Sequence, residues 1–111
     1  MEINKETQEK IAKLQLLEQN LQNLSMQKQT FQSQLLEIEN AMNEIDSSKE
    51  VYKILGPIMV ASKKEDLKKE LVQKKEILDL RIKSLDKQEK DLKDKAESLQ
   101  SDILKKINKG K

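Results

Sequence analysis

The fold of this chain is decided by the central stretch Val51-Tyr52-Lys53-Ile54-Leu55-Gly56-Pro57-Ile58-Met59-Val60-Ala61-Ser62. Apolar and β-branched residues stand on both sides of a Gly-Pro pair, which is typical of two short strands joined by a tight turn. Gly56 can adopt the positive φ of a II′-like turn, and Pro57 suits a φ of about −65° at the next position. The stretch therefore predicts a β-hairpin over residues 51–62.

Both faces of the predicted hairpin are largely apolar. One face carries Tyr52, Ile54, Met59 and Ala61, and the other carries Val51, Lys53, Leu55, Ile58 and Val60. A lone two-stranded hairpin is marginal in water, and its edges offer unpaired N–H and C=O groups to other chains. We therefore expect the hairpins of several copies to join in a shared sheet or barrel; the alternative is a hairpin folded down onto its own helices. The residues expected at this oligomer contact are Val51, Tyr52, Ile54, Leu55, Gly56, Pro57, Ile58, Met59, Val60 and Ala61.

Heptad repeats flank the hairpin on both sides. Before it, apolar residues recur at spacings of three and four from Leu14 to Ile45, and after it leucine recurs every seventh residue from Leu71 to Leu99. Sustained repeats of this kind indicate coiled-coil helices. We predict helices over residues 4–48 and 63–108.

The start of the second helix has its own sequence signal. Ser62 and Glu65 have the spacing of a capping box, in which each side chain satisfies a backbone N–H group of the other residue. The sequence therefore predicts Ser62 as the N-cap of this helix.

Folding the chain at the Gly-Pro pair brings the two heptad seams together in antiparallel order. Leu14 then faces Leu99 and Leu35 faces Leu78, although a slip by one heptad also matches residue types, so the turn fixes the register. The predicted fold is mainly α: one domain over residues 1–111, a long antiparallel two-helix coiled coil joined by one central β-hairpin that assembles into a shared sheet or an intersubunit β-barrel.

Four charged residues interrupt the seams: Lys28, Lys68, Lys75 and Glu89. We interpret them as devices that specify the register, with lysine stems that reach solvent. In the symmetric register Lys28 and Glu89 occupy adjacent layers. No other nearby residue supplies a reaction site, so we expect no catalytic role for them.

The composition excludes most enzyme chemistry. There is no cysteine and no histidine, and only two glycines occur in 111 residues. Thiol nucleophiles, imidazole bases, common zinc sites and glycine-rich phosphate loops are therefore absent, and we expect no enzyme activity, no cofactor and no metal.

Charge and hydropathy limit the partners. Residues 63–111 are basic, yet their lysines alternate with acids and no aromatic residue accompanies them. This pattern favours solvated helix faces over a nucleic-acid surface. The longest apolar run, residues 54–61, is far shorter than the roughly 20 residues of a membrane span, and no signal-peptide core begins the chain. We expect a cytoplasmic protein that binds neither nucleic acid nor membrane.

The order helix, hairpin, helix resembles the β-type subunit of prefoldin, the co-chaperone also called GimC. The resemblance covers nearly the whole chain and is sharpest over residues 50–92. Its most specific part is the Tyr-Lys-x-x-Gly-Pro segment that begins at Tyr52, and the run Leu85-Asp86-Lys87-Gln88-Glu89-Lys90 adds to it. The single hairpin suits the β-type, because the α-type subunits of the family carry two.

This resemblance implies an assembly and an activity. The assembly is a hexamer of two α-type and four β-type subunits (α2β4), with a double β-barrel made of hairpins and with coiled coils that hang from it as tentacles. The activity is that of an ATP-independent holdase, which receives unfolded polypeptides and passes them to a group II chaperonin. The expected partners are therefore a prefoldin α-type subunit, other β-type copies, unfolded clients and the chaperonin.

The free ends of the helices are the expected client-binding region. Beyond the layer of Leu14 the symmetric seam pairs Thr7 with Lys106 and Lys10 with Ile103, so we expect the ends to fray. The predicted client-binding residues are Ile3, Ile11, Leu14, Leu16, Leu17, Ile103, Leu104 and Ile107. Alternatively they are ordinary apolar residues of helix ends, because Leu36, Val72, Ile77 and Leu80 also lie off the seam.

Two other functions remain open on the residues alone. A coiled-coil scaffold or tether, in which the hairpin only joins the arms, has the same heptads. A basic clamp on nucleic acid that uses residues 63–111 is the other, and its binding to DNA or RNA would depend steeply on salt.

Overall fold

The computed structural model describes residues 4–109. The chain forms α1 (Lys5–Ser47), β1 (Val51–Leu55), β2 (Ile58–Ser62) and α2 (Lys64–Lys109), in that order. Each observed helix boundary differs by one residue from the boundary predicted above.

Helix α1 is closed by side chains at both ends. The Thr7 backbone N–H donates to Asn4 Oδ1 at 2.7 Å, and the Gln8 N–H donates to the Asn4 carbonyl at 3.0 Å, so Asn4 is the N-cap. At the other end the hydroxyls of Ser47 and Ser48 donate to the Glu44 carbonyl at 3.1 and 2.8 Å. These hydroxyls satisfy a carbonyl that has no partner within the helix.

The hairpin has the predicted register and turn. β1 and β2 pair antiparallel from Val51 opposite Ser62 to Leu55 opposite Ile58, which leaves Gly56 and Pro57 as the two turn residues. Gly56 has a φ of 58°, the left-handed region that glycine tolerates best. The predicted positive φ at Gly56 is thus confirmed.

The predicted capping box at the start of α2 is wrong. The first α-helical bond runs from the Leu67 N–H to the Lys63 carbonyl at 3.0 Å, which puts Lys63 at the N-cap. Ser62 is instead the last strand residue, opposite Val51, and strand pairing fixes its backbone. Glu65 and Asp66 in the first turn still complement the positive end of the helix dipole.

The chain divides into two compact units. In the unit of residues 29–83, the buried apolar side chains are Ile45 and Leu78 of the helices and Val51 of β1. Ile45 and Leu78 are seam positions of the predicted heptads.

The other unit consists, within the described residues, of 4–28 and 84–109. Its buried side chains are Leu17, Leu85 and Ile103, together with the polar Thr7, which is only 3% exposed. The burial of Thr7 and Ile103 shows that this end of the helix pair is packed. The expectation of frayed ends is therefore wrong for the described residues.

Within residues 4–109, neither helix contains a stretch apolar and uncharged enough to cross a bilayer. The same residues contain no cluster of three acidic side chains placed to hold a metal ion.

Candidate functional site

The hairpin carries a continuous set of exposed apolar side chains. Ile54 is 71% exposed and Met59 is 65% exposed, although both would be buried in an ordinary sheet. The hairpin is therefore not folded down onto its own helices. Nine of the ten residues expected at the oligomer contact are exposed, and Val51 is the exception: Tyr52, Ile54, Leu55, Gly56, Pro57, Ile58, Met59, Val60 and Ala61.

The base of the hairpin is fixed to the helices at two points. Val51 is buried and lines a concavity with Ile45 and Leu67. On the same face of β1, Lys53 Nζ donates to Glu70 Oε1 of α2 at 2.6 Å. This hydrogen bond lowers the pKa of Glu70 from its ordinary value, and the charge of Lys53 acts in the same direction.

The hairpin is thus held at its base and free beyond it. Tyr52, on the opposite face, donates its hydroxyl to Glu50 Oε2 at 2.6 Å, and this bond raises the pKa of the tyrosine. The remaining apolar side chains have no such attachment and are available to another chain.

The charged residues of the seam are paired across it. Lys28 Nζ lies 2.5 Å from Asp86 Oδ1 and 3.3 Å from Glu89 Oε1. The bond with Asp86, followed by the bond with Glu89, raises the pKa of Lys28. The contact between Lys28 and Glu89 confirms the prediction that these two residues occupy adjacent layers of the seam.

The two other seam lysines lie on α2 and pair with α1. Lys68 binds Asp46, and Lys75 Nζ lies 3.7 Å from Glu39 Oε1. Their ammonium groups leave the seam while their stems remain in it. These pairs account for the seam lysines as structural residues.

The predicted client-binding residues differ widely in exposure. Leu16 is 57% exposed and Leu104 is 55% exposed, whereas Leu17 and Ile103 are buried. Three others are half-buried: Ile11, Leu14 and Ile107. Ile3 lies outside the described residues. Leu16 and Leu104 are therefore the most exposed of the predicted client-binding residues that the structure describes.

Ion pairs hold this end of the helix pair together. Lys106 Nζ lies 2.6 Å from Glu6 Oε1, and Lys10 Nζ lies 3.8 Å from Asp102 Oδ2. The hydrogen bond with Lys106 lowers the pKa of Glu6, and the same bond raises the pKa of Lys106. The heptad pattern counts apolar residues only, and it therefore missed this closure.

The sequence of this chain is similar to prefoldin subunits over nearly its whole length. The family model described as prefoldin subunit matches residues 8–110. Prefoldin subunit beta of Archaeoglobus fulgidus is 39% identical over 97 residues, which cover 85% of this chain and 84% of the relative. Prefoldin subunit beta of Saccharolobus islandicus is 36% identical over 107 residues, which cover 94% of this chain and 85% of the relative.

Solved structures agree with the sequence comparison. The crystal structure of the prefoldin beta subunit from Thermococcus strain KS-1 matches with a TM-score of 0.86 and 34% identity over 92% of both chains. The prefoldin beta2 subunit of the same strain matches with a TM-score of 0.73 over 79% of this chain, and at 19% identity it shows the fold alone. The family match, the identities and the shared fold confirm the resemblance seen in the residues, and this chain belongs to the prefoldin subunit family.

Proposed function

We propose that this chain is the β-type subunit of an α2β4 prefoldin hexamer that holds unfolded polypeptides without ATP and delivers them to a group II chaperonin in the cytoplasm. Its membership of a chaperone family, which is not an enzyme family, supports the general role. The observation that carries the proposal is the hairpin, whose two strands are apolar, exposed and fixed only at their base.

The assembly step follows from the cost of leaving this hairpin alone. Full burial of each large aliphatic side chain that it exposes contributes about 1.5–3 kcal/mol of stabilising free energy. The outer edges of β1 and β2 also carry backbone groups without a strand partner, because the described sheet has two strands only. Pairing with the hairpins of other subunits satisfies both needs, and an α-type subunit with two hairpins would complete a closed barrel.

We assign client binding to the helix ends that are farthest from the hairpin in sequence, which are the start of α1 and the end of α2. Leu16 and Leu104 are the fully presented apolar side chains there, and the half-buried Ile11 and Ile107 lie close to them in sequence. Single contacts of this kind are weak. Several copies that act on one unfolded chain gain avidity, which suits a holdase that must later release its client.

The test compares two quadruple variants of the full chain, each assembled with its α-type partner. One replaces Ile11, Leu16, Leu104 and Ile107 by serine. The control replaces four exposed apolar residues elsewhere on the helices by serine: Met26, Leu36, Val72 and Leu80. Each complex is mixed, without ATP, with a guanidinium-denatured protein upon dilution, and aggregation is followed by light scattering.

We expect the first variant to suppress aggregation several-fold less well than wild type, at unchanged complex mass by native mass spectrometry. The control should retain wild-type suppression. Equal suppression by both variants would contradict client binding at these residues. A wild-type complex that suppresses no aggregation would favour the scaffold function. Transfer to a group II chaperonin needs a second assay, in which chaperonin and ATP are added to the captured client and its refolding is measured.

A further inference from the structure

A second apolar surface lies on the helices of the unit formed by residues 29–83. There, α1 and α2 enclose an open groove of about 410 Å³. Its floor is made by Ile38, Leu71 and Leu78, and Ile77 stands at its rim with 49% of its side chain exposed. The groove has the size of a site for a few side chains of a peptide.

One end of this groove carries an unusual cation. Arg81 is the only arginine of the sequence, and its guanidinium carbon lies 5.6 Å from the centre of the Phe31 ring. This distance is within the range of a cation–π contact. Within residues 4–109, no carboxylate lies within ion-pair distance of Arg81.

The stacked guanidinium is suited to bind a carboxylate. Phe31 lies against one side of the guanidinium, and within residues 4–109 no carboxylate occupies its N–H groups. Two parallel N–H groups of arginine match the two oxygens of a carboxylate, and a lysine cannot provide this geometry. The sequence contains twenty-one lysines, and Arg81 is its single arginine.

One acidic residue, Glu37, lines the groove together with Arg81. Glu37 forms no ion pair with Arg81, so the guanidinium remains open to a carboxylate from another chain. Lys74, the other cation of the rim, already lies 4.0 Å from Glu70 Oε1. The groove is therefore apolar along its floor and cationic at the end formed by Arg81.

We propose that this groove binds a short apolar peptide segment that carries a carboxylate, with Arg81 as the partner of the carboxylate and Ile77 as the apolar contact at the rim. Charge complementarity selects this occupant, because a purely apolar segment leaves Arg81 unused. The site is separate from the client-binding residues proposed above, and the proposal does not depend on them.

The test uses the full chain and two fluorescein-labelled peptides, measured by fluorescence anisotropy. The first peptide is Leu-Leu-Asp-Leu-Leu with blocked ends, and the second has Asn in place of Asp. We expect wild type to bind the acidic peptide about two- to fivefold more tightly, which is the usual worth of an ion pair at an exposed residue such as Arg81.

Each variant has a stated outcome. Arg81→Gln should abolish the preference for the acidic peptide, and Arg81→Lys should restore only part of it because it keeps the charge without the fork. Ile77→Ser should lower the affinity for both peptides, and Glu37→Gln should raise the affinity for the acidic peptide. Leu80→Ser is the control, since Leu80 is 67% exposed and does not line the groove.

Four results would overturn the proposal. The first is equal affinity of wild type for the two peptides, and the second is an unchanged preference in Arg81→Gln with wild-type helix content by circular dichroism. The third is loss of binding in Leu16→Ser with Leu104→Ser, which would place the peptide at the helix ends. A lower complex mass of Arg81→Gln in sedimentation would assign the groove to a second copy of this chain instead.

Discussion

The helical seam and the hairpin treat aliphatic side chains in opposite ways. Leu85 in the seam is 6% exposed, whereas Ile54 in β1 is 71% exposed. The seam has an apolar stripe on each of two helices, and these stripes cover each other. The hairpin has two largely apolar faces, and beyond its base, where Val51 is buried, no second layer covers them within residues 4–109.

This difference supports the proposal that the hairpin is the part of the chain that pairs with another subunit. A helix satisfies its backbone hydrogen bonds internally, so two amphipathic helices can form a closed pair. A two-stranded sheet leaves half of its backbone groups at open edges as well as its side chains in water. We therefore expect the seam to account for most of the stability of the chain, and the hairpin to be the part that associates with other subunits.

The largest expected effect comes from charging the hairpin. Ile54→Asp together with Val60→Asp places a carboxylate in each apolar face, at a cost of several kcal/mol if the faces are buried between subunits. We expect loss of the oligomer in native mass spectrometry with helix content retained. Leu80→Asp on α2 is the matched control and should assemble normally; an unaltered oligomer mass in the double variant would contradict assembly through the hairpin.

The next effect concerns the seam. Leu85→Ala removes a buried side chain, and we expect the free energy of unfolding to fall by about 2–5 kcal/mol. Leu80→Ala, at an exposed position of the same helix, should change it by less than about 0.5 kcal/mol. Urea denaturation followed by circular dichroism measures both, and similar losses for the two variants would show that the seam is not the main source of stability.

A smaller effect is expected at the turn. An added Cβ at Gly56 would meet no atom within 4 Å, so the cost of Gly56→Ala arises from the backbone alone. A φ of 58° costs a residue with a side chain about 1–2 kcal/mol. Thermal unfolding should report this loss, while Gly56→Asn, which tolerates positive φ better, should lose less; equal stability of all three proteins would contradict a left-handed turn residue.

The smallest effect is the dependence of stability on pH. Hydrogen bonds from Lys106 and Lys53 lower the pKa values of Glu6 and Glu70 in the folded chain. A lowered folded-state pKa stabilises the fold above the unfolded-state value of about 4.5, and this contribution is lost as the pH falls through the folded-state value. The melting temperature should therefore decline below about pH 4.5, and Glu6→Gln with Glu70→Gln should flatten that decline.

For Lys106, the partner of Glu6, the sign is reversed. The raised pKa of Lys106 stabilises the fold below the ordinary lysine value of about 10.5, and the contribution is lost as the pH rises through the folded-state value. The pairs are exposed, so both effects should shrink at high salt. An acid-side decline that the double glutamine variant leaves unchanged would assign it to other carboxylates.

The hairpin and the seam could be predicted from the sequence because their signals are local and periodic. A Gly-Pro pair between β-branched residues has few conformations that avoid a clash, and a heptad has one face. The register of the strands then follows from the turn, as the pairing of Leu55 with Ile58 shows.

The two misjudged ends depended on partners that lie elsewhere in the sequence. Ser62 and Glu65 fit a capping box, but Ser62 had a strand partner in Val51, and cross-strand pairing outweighed the cap. At the free ends of the helices, the heptad pattern places the polar residues Thr7 and Lys106 at positions where it requires apolar side chains. The side chain of Thr7 packs all the same, and Lys106 finds Glu6 outside the seam.

The groove of Arg81 lay beyond the sequence for a different reason. Periodicity identified Ile77 as an apolar residue off the seam but gave no information on its neighbours across the helix pair. The single arginine was a usable signal, because guanidinium and ammonium groups differ in the geometry of what they bind.

The pairing of the two arms about one turn also orders the formation of the fold. Lys53 and Glu70 are separated by only 17 residues, whereas Glu6 and Lys106 stand near opposite ends of the chain. The entropy lost in closing a loop grows with its length, so contacts beside the turn form at the least cost and shorten the loop that the next layer must close. The contacts between α1 and α2 should therefore form progressively from the hairpin outward. The contacts beside Leu16 and Leu104 should form last during folding and break first during unfolding.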